Sequence, residues 1–310
     1  MITKVEIQNC KSIVNASIIL SPFTLLIGAN GSGKTNFLQI LREVSTLRSP
    51  GPFPIEKHIN HQDSNQKIIL TNSSGLSYTI QNNFVGPGKI AELSDIRVFS
   101  IDPSQVGQAE ELTPNPTVQE NGQGVVQVLD ALKTGDREDL FEKIERSLTE
   151  YIPEIEKLSF IPGEKTKRLQ VREKYLQAPL PVAQLSEGTK FVITILTIIF
   201  QKNPPTVICI EEIDRSLHPR LFEKIIQVCF DITQKESMPQ IIATTHNPYL
   251  VDQFKDHEEA VILVEKEAGE TRFTTLAERI EQVKPTAEDP LGELWFSGFI
   301  GGVPKKGVSN

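Results

Sequence analysis

Gly28 and Gly33-Lys34-Thr35 stand four residues apart, directly after the apolar run Phe23-Thr24-Leu25-Leu26-Ile27 and before Phe37, Leu38, Leu41 and Val44. Those last four fall on one face at a 3.6-residue period, so the order is strand, glycine-rich turn, helix. A chain that folds this way presents the backbone N–H groups of Gly28, Ala29, Asn30, Gly31, Ser32, Gly33 and the following Lys34, Thr35 and Asn36 at a helix N-terminus. Those donors and the positive end of the helix dipole suit a polyphosphate. Lys34 is placed to reach the β- and γ-phosphates and Thr35 to ligate Mg2+, which makes ATP and Mg2+ the expected ligands.

The rest of the chain bounds what such a site can belong to. Its 310 residues give room for one large or two modest domains, and 38% hydrophobic content is ordinary for a globular fold. Cys10, Cys209 and Cys229 lack zinc spacing or a disulfide framework, and the last two lie in apolar runs, which reads as reduced core thiols in a cytoplasmic protein. The longest apolar stretch, around Phe191 to Phe200, is far short of the ~20 residues that span a bilayer. Neither a signal peptide nor a membrane partner is expected.

A net charge of -8 argues against a surface coated for gripping duplex nucleic acid. One basic cluster stands out against it: Lys165, Lys167, Arg168, Arg172 and Lys174, in an expected hairpin from Lys157 to Phe160, through Pro162-Gly163, to Lys167 to Leu176. It reads either as a phosphate-tracking nucleic-acid surface or as a solvated edge strand guarded by its lysines.

Alternation of Val5 and Ile7 with Lys4, Glu6 and Gln8 predicts a half-exposed antiparallel strand, with a second at about Ser17 to Leu20. A Pro/Gly loop (Ser49 to Pro52) follows the first helix, then strands at Lys67 to Leu70, Ser77 to Ile80 and Arg97 to Ile101, read together as an antiparallel subregion. Helices carrying Val125, Val128, Leu129 and Leu132, and then Leu140, Phe141, Ile144 and Leu148, join the hairpin in an inserted lobe at about 103–184. The second half alternates helices (Thr189 to Gln201, Pro219 to Thr233) with buried strands (Val207 to Ile210, Ile241 to Thr244), and a strand at Val261 to Val264 turns at Gly269 into Arg272 to Leu276. Buried strands bounded by helices predict a parallel sheet, so the whole is an α/β fold: a mixed sheet with a parallel core, an N-terminal antiparallel subsheet and the inserted lobe.

Val207 to Ile210 delivers two adjacent carboxylates to the C-terminal edge of that sheet, where α/β ligand sites lie. Glu211 is expected to hold the Mg2+ hydration shell and Glu212 to orient or deprotonate an attacking water. His246 closes another buried strand and is placed to sense a γ-phosphate. Gln105 is a weaker candidate for the metal or the water, and His58 and His61 read as loop residues. Ser186, Glu187 and Gly188 open a helix and make a second anion-binding edge, or else a plain serine cap. With one P-loop per chain, that edge can serve the nucleotide of a second copy, which predicts a two-fold head-to-tail dimer.

The ordered set Asn9-Cys10-Lys11-Ser12, GANGSGKT, LSEGT, VICIEE, Ser216 to Pro219 and TTHNP resembles the ABC-type ATPase domain of the SMC and RecF class, and more narrowly the AAA-family ATPases related to the OLD (overcoming lysogenization defect) family. The resemblance implies a single ATPase domain over 1–310 in which LSEGT is the signature acting in trans, Glu212 the catalytic base, Ser216 to Pro219 the D-loop and His246 the switch histidine. Glu211 stands where most such sites have Asp, and LSEGT replaces LSGGQ; the longer carboxylate still reaches Mg2+ through water.

OLD nucleases carry a C-terminal Toprim domain, whereas about 45 residues follow Val264 here, too few for a domain of even ~50 residues. The resemblance therefore implies the motor half of a two-component defence system, with a separately encoded effector for which a Toprim-type nuclease is a candidate. An ATP-locked scaffold with negligible turnover is the alternative. In the tail at about 277–310, Leu291, Leu294, Trp295 and Phe299 share a helical face beside Phe296 and Ile300, which predicts packing on the domain or a docking anchor.

Overall fold

The computed structural model describes residues 1–46, 65–81, 84–85, 95–163, 165–215, 217–235, 239–284 and 290–301. The Pro/Gly loop, His58, His61, Ser216 and the end of the chain from Gly302 lie outside the described residues. In chain order the elements are β1 (Ile2–Cys10), β2 (Ile13–Ile19), β3 (Phe23–Ile27), α1 (Lys34–Thr46), β4 (Lys67–Asn72), β5 (Ser77–Gln81), β6 (Phe84–Val85), β7 (Ile96–Phe99) and β8 (Glu110–Glu111). Then come α2 (Val125–Thr134), α3 (Glu138–Tyr151), β9 (Ile155–Pro162), β10 (Thr166–Glu173), β11 (Leu180–Pro181), α4 (Glu187–Phe200), β12 (Val207–Ile210) and α5 (Pro219–Thr233). The last five are β13 (Gln240–Thr245), β14 (Val261–Glu267), β15 (Glu270–Thr275), α6 (Leu276–Val283) and α7 (Leu291–Phe296).

The chain divides into two compact units. The first comprises Met1–Val98, Thr206–Ile213 and Cys229–Asn310; the second comprises Phe99–Pro205 and Asp214–Val228. The second unit is thus wider than the lobe expected at 103–184, because α4 packs on α2 and α3 and so joins it.

In the first unit a six-stranded sheet runs β15-β14-β3-β13-β12-β7, with β3 parallel to β13 and β14, and β13 parallel to β12. A five-stranded sheet, β2-β1-β4-β5-β6, is antiparallel. Helix α1 and both sheets share one apolar cluster: Val5, Ile7, Ile68 and Leu70 from the antiparallel sheet, Phe37, Leu38 and Leu41 from α1, and Leu26, Ile242 and Val264 from the other. Burying each such side chain contributes roughly 1.5–3 kcal/mol, so the helix that follows the glycine turn is held from both sides. Gln240 ties the first strand to β13, donating to Ile2 O at 2.8 Å and accepting from Ile2 N at 2.9 Å.

One strand departs from expectation. The segment around Arg97 is not part of the antiparallel sheet; β7 forms the edge of the parallel sheet beside β12, where Val207 N donates to Asp95 O. A short apolar strand declares its burial but not its neighbour.

In the second unit α2 and α3 pack together and on α4, which is buried along nearly its whole length. A small sheet joins them: β10 pairs with β9 along its length, and with β8 and β11 at separate positions. Within the tail, Leu291, Trp295 and Ile300 are buried, whereas Phe299 is 59% exposed and so does not share their face. The α7 helix stops at Phe296, and Gly298 turns the chain with φ 79°. Trp295 packs inward rather than standing out as an anchor, and α7 rests on the 3-10 segment Pro248–Phe254.

Candidate nucleotide-binding site

β3 is buried at all five residues and ends at the glycine turn, so the turn leaves the C-terminal edge of the sheet directly into α1. Gly31 and Gly33 take positive φ (77° and 116°), a region that other residues occupy at a cost. Gly33 also lies against the Thr271 side chain, where a Cβ would collide. Lys34 is held over its own loop, Nζ donating to Gly28 O at 2.6 Å and Ala29 O at 3.0 Å, and is 9% exposed. Ser32 Oγ is buried with no hydrogen-bond partner among the described residues. A buried hydroxyl without a partner is costly, and a phosphate oxygen would satisfy it. These groups fit a polyphosphate, and Thr35 is exposed at the start of α1.

A support for the turn comes from β15. Thr271 Oγ1 donates to Ser32 O at 2.8 Å and lies 2.7 Å from Ser12 Oγ, which accepts from Asn36 Nδ2 at 2.6 Å. Thr271 N also donates to Ser12 O at 2.7 Å. The β1–β2 turn that carries Ser12 is set by two residues at positive φ, Asn9 (54°) and Lys11 (51°). Ser12 falls within a motif the sequence makes visible, whereas nothing in the sequence singles out Thr271.

At the neighbouring strand ends, β12 stops at Ile210 and the chain turns sharply, with Glu212 at φ 51°. Thr244 on β13 fixes that turn: Glu212 N donates to Thr244 Oγ1 and Ile213 N to Thr244 O, both at 3.0 Å. His246, just past β13, brings Nδ1 to 3.9 Å from Glu212 Oε1, with both side chains about half exposed. The structure thus brings Glu212 and His246 together at one sheet edge, with Glu211 the first residue of the turn that follows β12. Asn247 caps the next segment, accepting from Tyr249 N at 3.1 Å.

In the second unit Ser186 caps α4, its Oγ accepting from Thr189 N at 3.2 Å. Ser186 and Glu187 are exposed and Gly188 is buried. Gln105 accepts from Gln123 Nε2 at 2.8 Å. Among the basic residues of the hairpin, Lys167 differs from the others: its Nζ lies 2.6 Å from Asp130 Oδ1, whose side chain is 8% exposed. It shares strand parity with the buried Leu169 and Val171, while Arg168 and Arg172 face outward. Lys167 therefore leaves the nucleic-acid set, because its charge is already spent on a buried carboxylate.

The cysteines behave as core thiols. All three are buried; burial pushes the Cys10 and Cys229 thiols up to about 12, and raises that of Cys209 further, Glu211 adding to it.

Two family models match the chain. The AAA ATPase domain matches residues 1–152, and the AAA domain described as a putative AbiEii toxin of a type IV TA system matches residues 126–252. The chain is similar to Septu protein PtuA of Bacillus mycoides (strain KBAB4), 26% identical over 304 residues that cover 86% of this chain and 41% of that protein. It therefore spans under half of that relative's length.

Among solved structures it is similar to an SmcHead bound to the C-winged helix domain of ScpA, at 17% identity and TM-score 0.55, covering 88% of this chain and 97% of that one. A second is the Smc head domain with an extended coiled coil bound to the C-terminal domain of ScpA from Pyrococcus furiosus, at 16% identity and TM-score 0.55, covering 91% and 98%. At such identity the likeness establishes the P-loop fold of SMC heads. None of the described helices is long and apolar enough to cross a membrane.

Proposed function

We propose that this chain, an AAA-type ATPase domain on the P-loop fold of SMC heads, hydrolyses ATP in a head-to-tail dimer and drives a separately encoded effector in anti-phage defence. The observation that carries the reading is the convergence of Glu212 and His246, 3.9 Å apart, at the edge of the sheet whose β3 strand leads into the glycine turn. Gly28 to Asn36 hold the triphosphate, with Lys34 releasing its carbonyl partners for the β- and γ-phosphates. Thr35 and Glu211 hold Mg2+, which neutralises charge on the transferred phosphoryl group.

Glu212 orients the water and takes its proton, and His246 reports the γ-phosphate. Ser186, Glu187 and Gly188 of one copy close over the triphosphate of the other, completing a site that one chain leaves open. The likeness to Septu protein PtuA supports the defence role.

Steady-state phosphate release with Mg2+ tests the reading. The wild type should turn over and Glu212→Gln should fall to background while still binding ATP. Equal background release in both would replace the motor with an ATP-locked scaffold.

A further inference from the structure

The outward face of the β9–β10 hairpin carries a feature that the ATPase reading leaves unused. In register, Arg172 stands opposite Lys157, Gln170 opposite Ser159, and Arg168 opposite Ile161. Directly opposed residues of an antiparallel pair share a face, so Lys157, Arg168 and Arg172 project from one side. Arg172 and Lys157 are like charges set side by side, an arrangement that costs stability unless an anion lies across it. Among the described residues no carboxylate pairs with Lys157, Arg168 or Arg172, whereas the inward Lys167 of the same strand has Asp130. The inward, part-buried cation is paired, and these three have no carboxylate partner among the described residues. Glu111, opposite Thr166, and Glu156, at the β9 bulge, mark the two ends of the row.

An exposed aromatic residue follows that strand in the chain. Tyr175 follows β10 by two residues and is 87% exposed, with Leu176 beside it at 43% and Ile161 on the cationic face at 38%. Cations that track phosphates next to an exposed ring on which a base can stack are the two components of single-strand recognition. A duplex offers such a ring no free base face.

We propose that the outward face of the β9–β10 hairpin binds single-stranded nucleic acid, with Lys157, Arg168 and Arg172 on phosphates and Tyr175 stacked on a base. With a net charge of -8 on the whole chain, the attraction is local, so binding is weak, sequence-tolerant and strongly salt-dependent.

Fluorescence anisotropy of the full chain, without nucleotide and at low salt, tests this with labelled single-stranded DNA, RNA of the same sequence, and the DNA duplex. One or both single strands should bind at least about 10-fold tighter than the duplex, the tighter one naming the natural class. Tyr175→Ala should weaken single-strand binding about 5- to 100-fold. Arg168→Ala with Arg172→Ala should weaken it and lower the slope of log affinity against log salt by about 1.4. All substituted positions are exposed, and thermal melts confirm that the variants fold. Duplex binding equal to single-strand binding, insensitivity to Tyr175→Ala, or no binding to any of the three overturns the proposal. Because ATP is absent, its failure leaves the ATPase reading standing.

Discussion

Thr271 Oγ1 donates to the carbonyl of Ser32 across 239 residues of chain, at 2.8 Å, and so braces the glycine turn from a strand that carries none of the recognised motif. The link runs on in one direction: Asn36 amide to Ser12 hydroxyl, Ser12 to Thr271, Thr271 to Ser32. A P-loop must hold several N–H groups toward one anion at once, and this chain of donors fixes the loop from behind without occupying its mouth.

Thr271→Val keeps the shape and removes the donor, leaving the Ser32 carbonyl unsatisfied at a cost of ~1–3 kcal/mol. ATP affinity, read by calorimetry, should drop about 5- to 100-fold, and Thr271→Ser should restore most of it. Unchanged affinity in the valine variant would show that the turn needs no brace.

Glu212→Gln and His246→Ala should each retain ATP binding. Glu212→Gln should lower phosphate release by ~10²–10⁴-fold, the usual worth of a positioned base. Their pairing at one sheet edge further predicts that the double variant loses less than the product of the two single losses, measured by single-turnover kinetics.

The partly buried pair of Lys167 and Asp130 makes a stability prediction. Breaking a fully buried pair costs ~3–5 kcal/mol; here, with the Lys167 side chain 26% exposed, Lys167→Met should cost about 1–3 kcal/mol by urea denaturation. Lys167→Met with Asp130→Leu should recover most of that, since no charge is then left buried.

Cys10 and Cys229, with thiols pushed up to about 12, should be unreactive toward a disulfide reagent at pH 8 until the chain unfolds. The sign of the pH effect follows from the same raised values. Unfolded thiols lose protons from about pH 8.5 while the folded ones keep theirs, so stability is full below that point and declines as pH rises toward 12. Chemical denaturation at pH 8 and pH 10 measures the decline.

Much of this was legible in the sequence because the physics is local. Pro219 to Thr233 is helical over the range its periodicity indicates, and β3, the glycine turn and α1 follow in the order that the apolar run and glycines require. The pairing of β7 with β12 was not legible, since a four-residue apolar strand gives no partner. Lys167 was readable in principle, standing two residues before Leu169 on the inward parity. Phe299 was misplaced because the helical period was carried across Gly298, where the chain turns. Thr271 left no signal at all, because a long-range bond to a backbone carbonyl imposes no pattern on the residues around it.

The central claim is that two copies each complete the nucleotide site of the other. Lys34→Ala disables the cradle and Ser186→Arg blocks the signature edge, so each protein alone should release phosphate only at background. Mixed in equal amounts with ATP and Mg2+, they should regain activity, because a mixed dimer contains one composite site with both halves intact. A mixture as inactive as its components, formed under conditions where the wild type dimerises, would contradict the account.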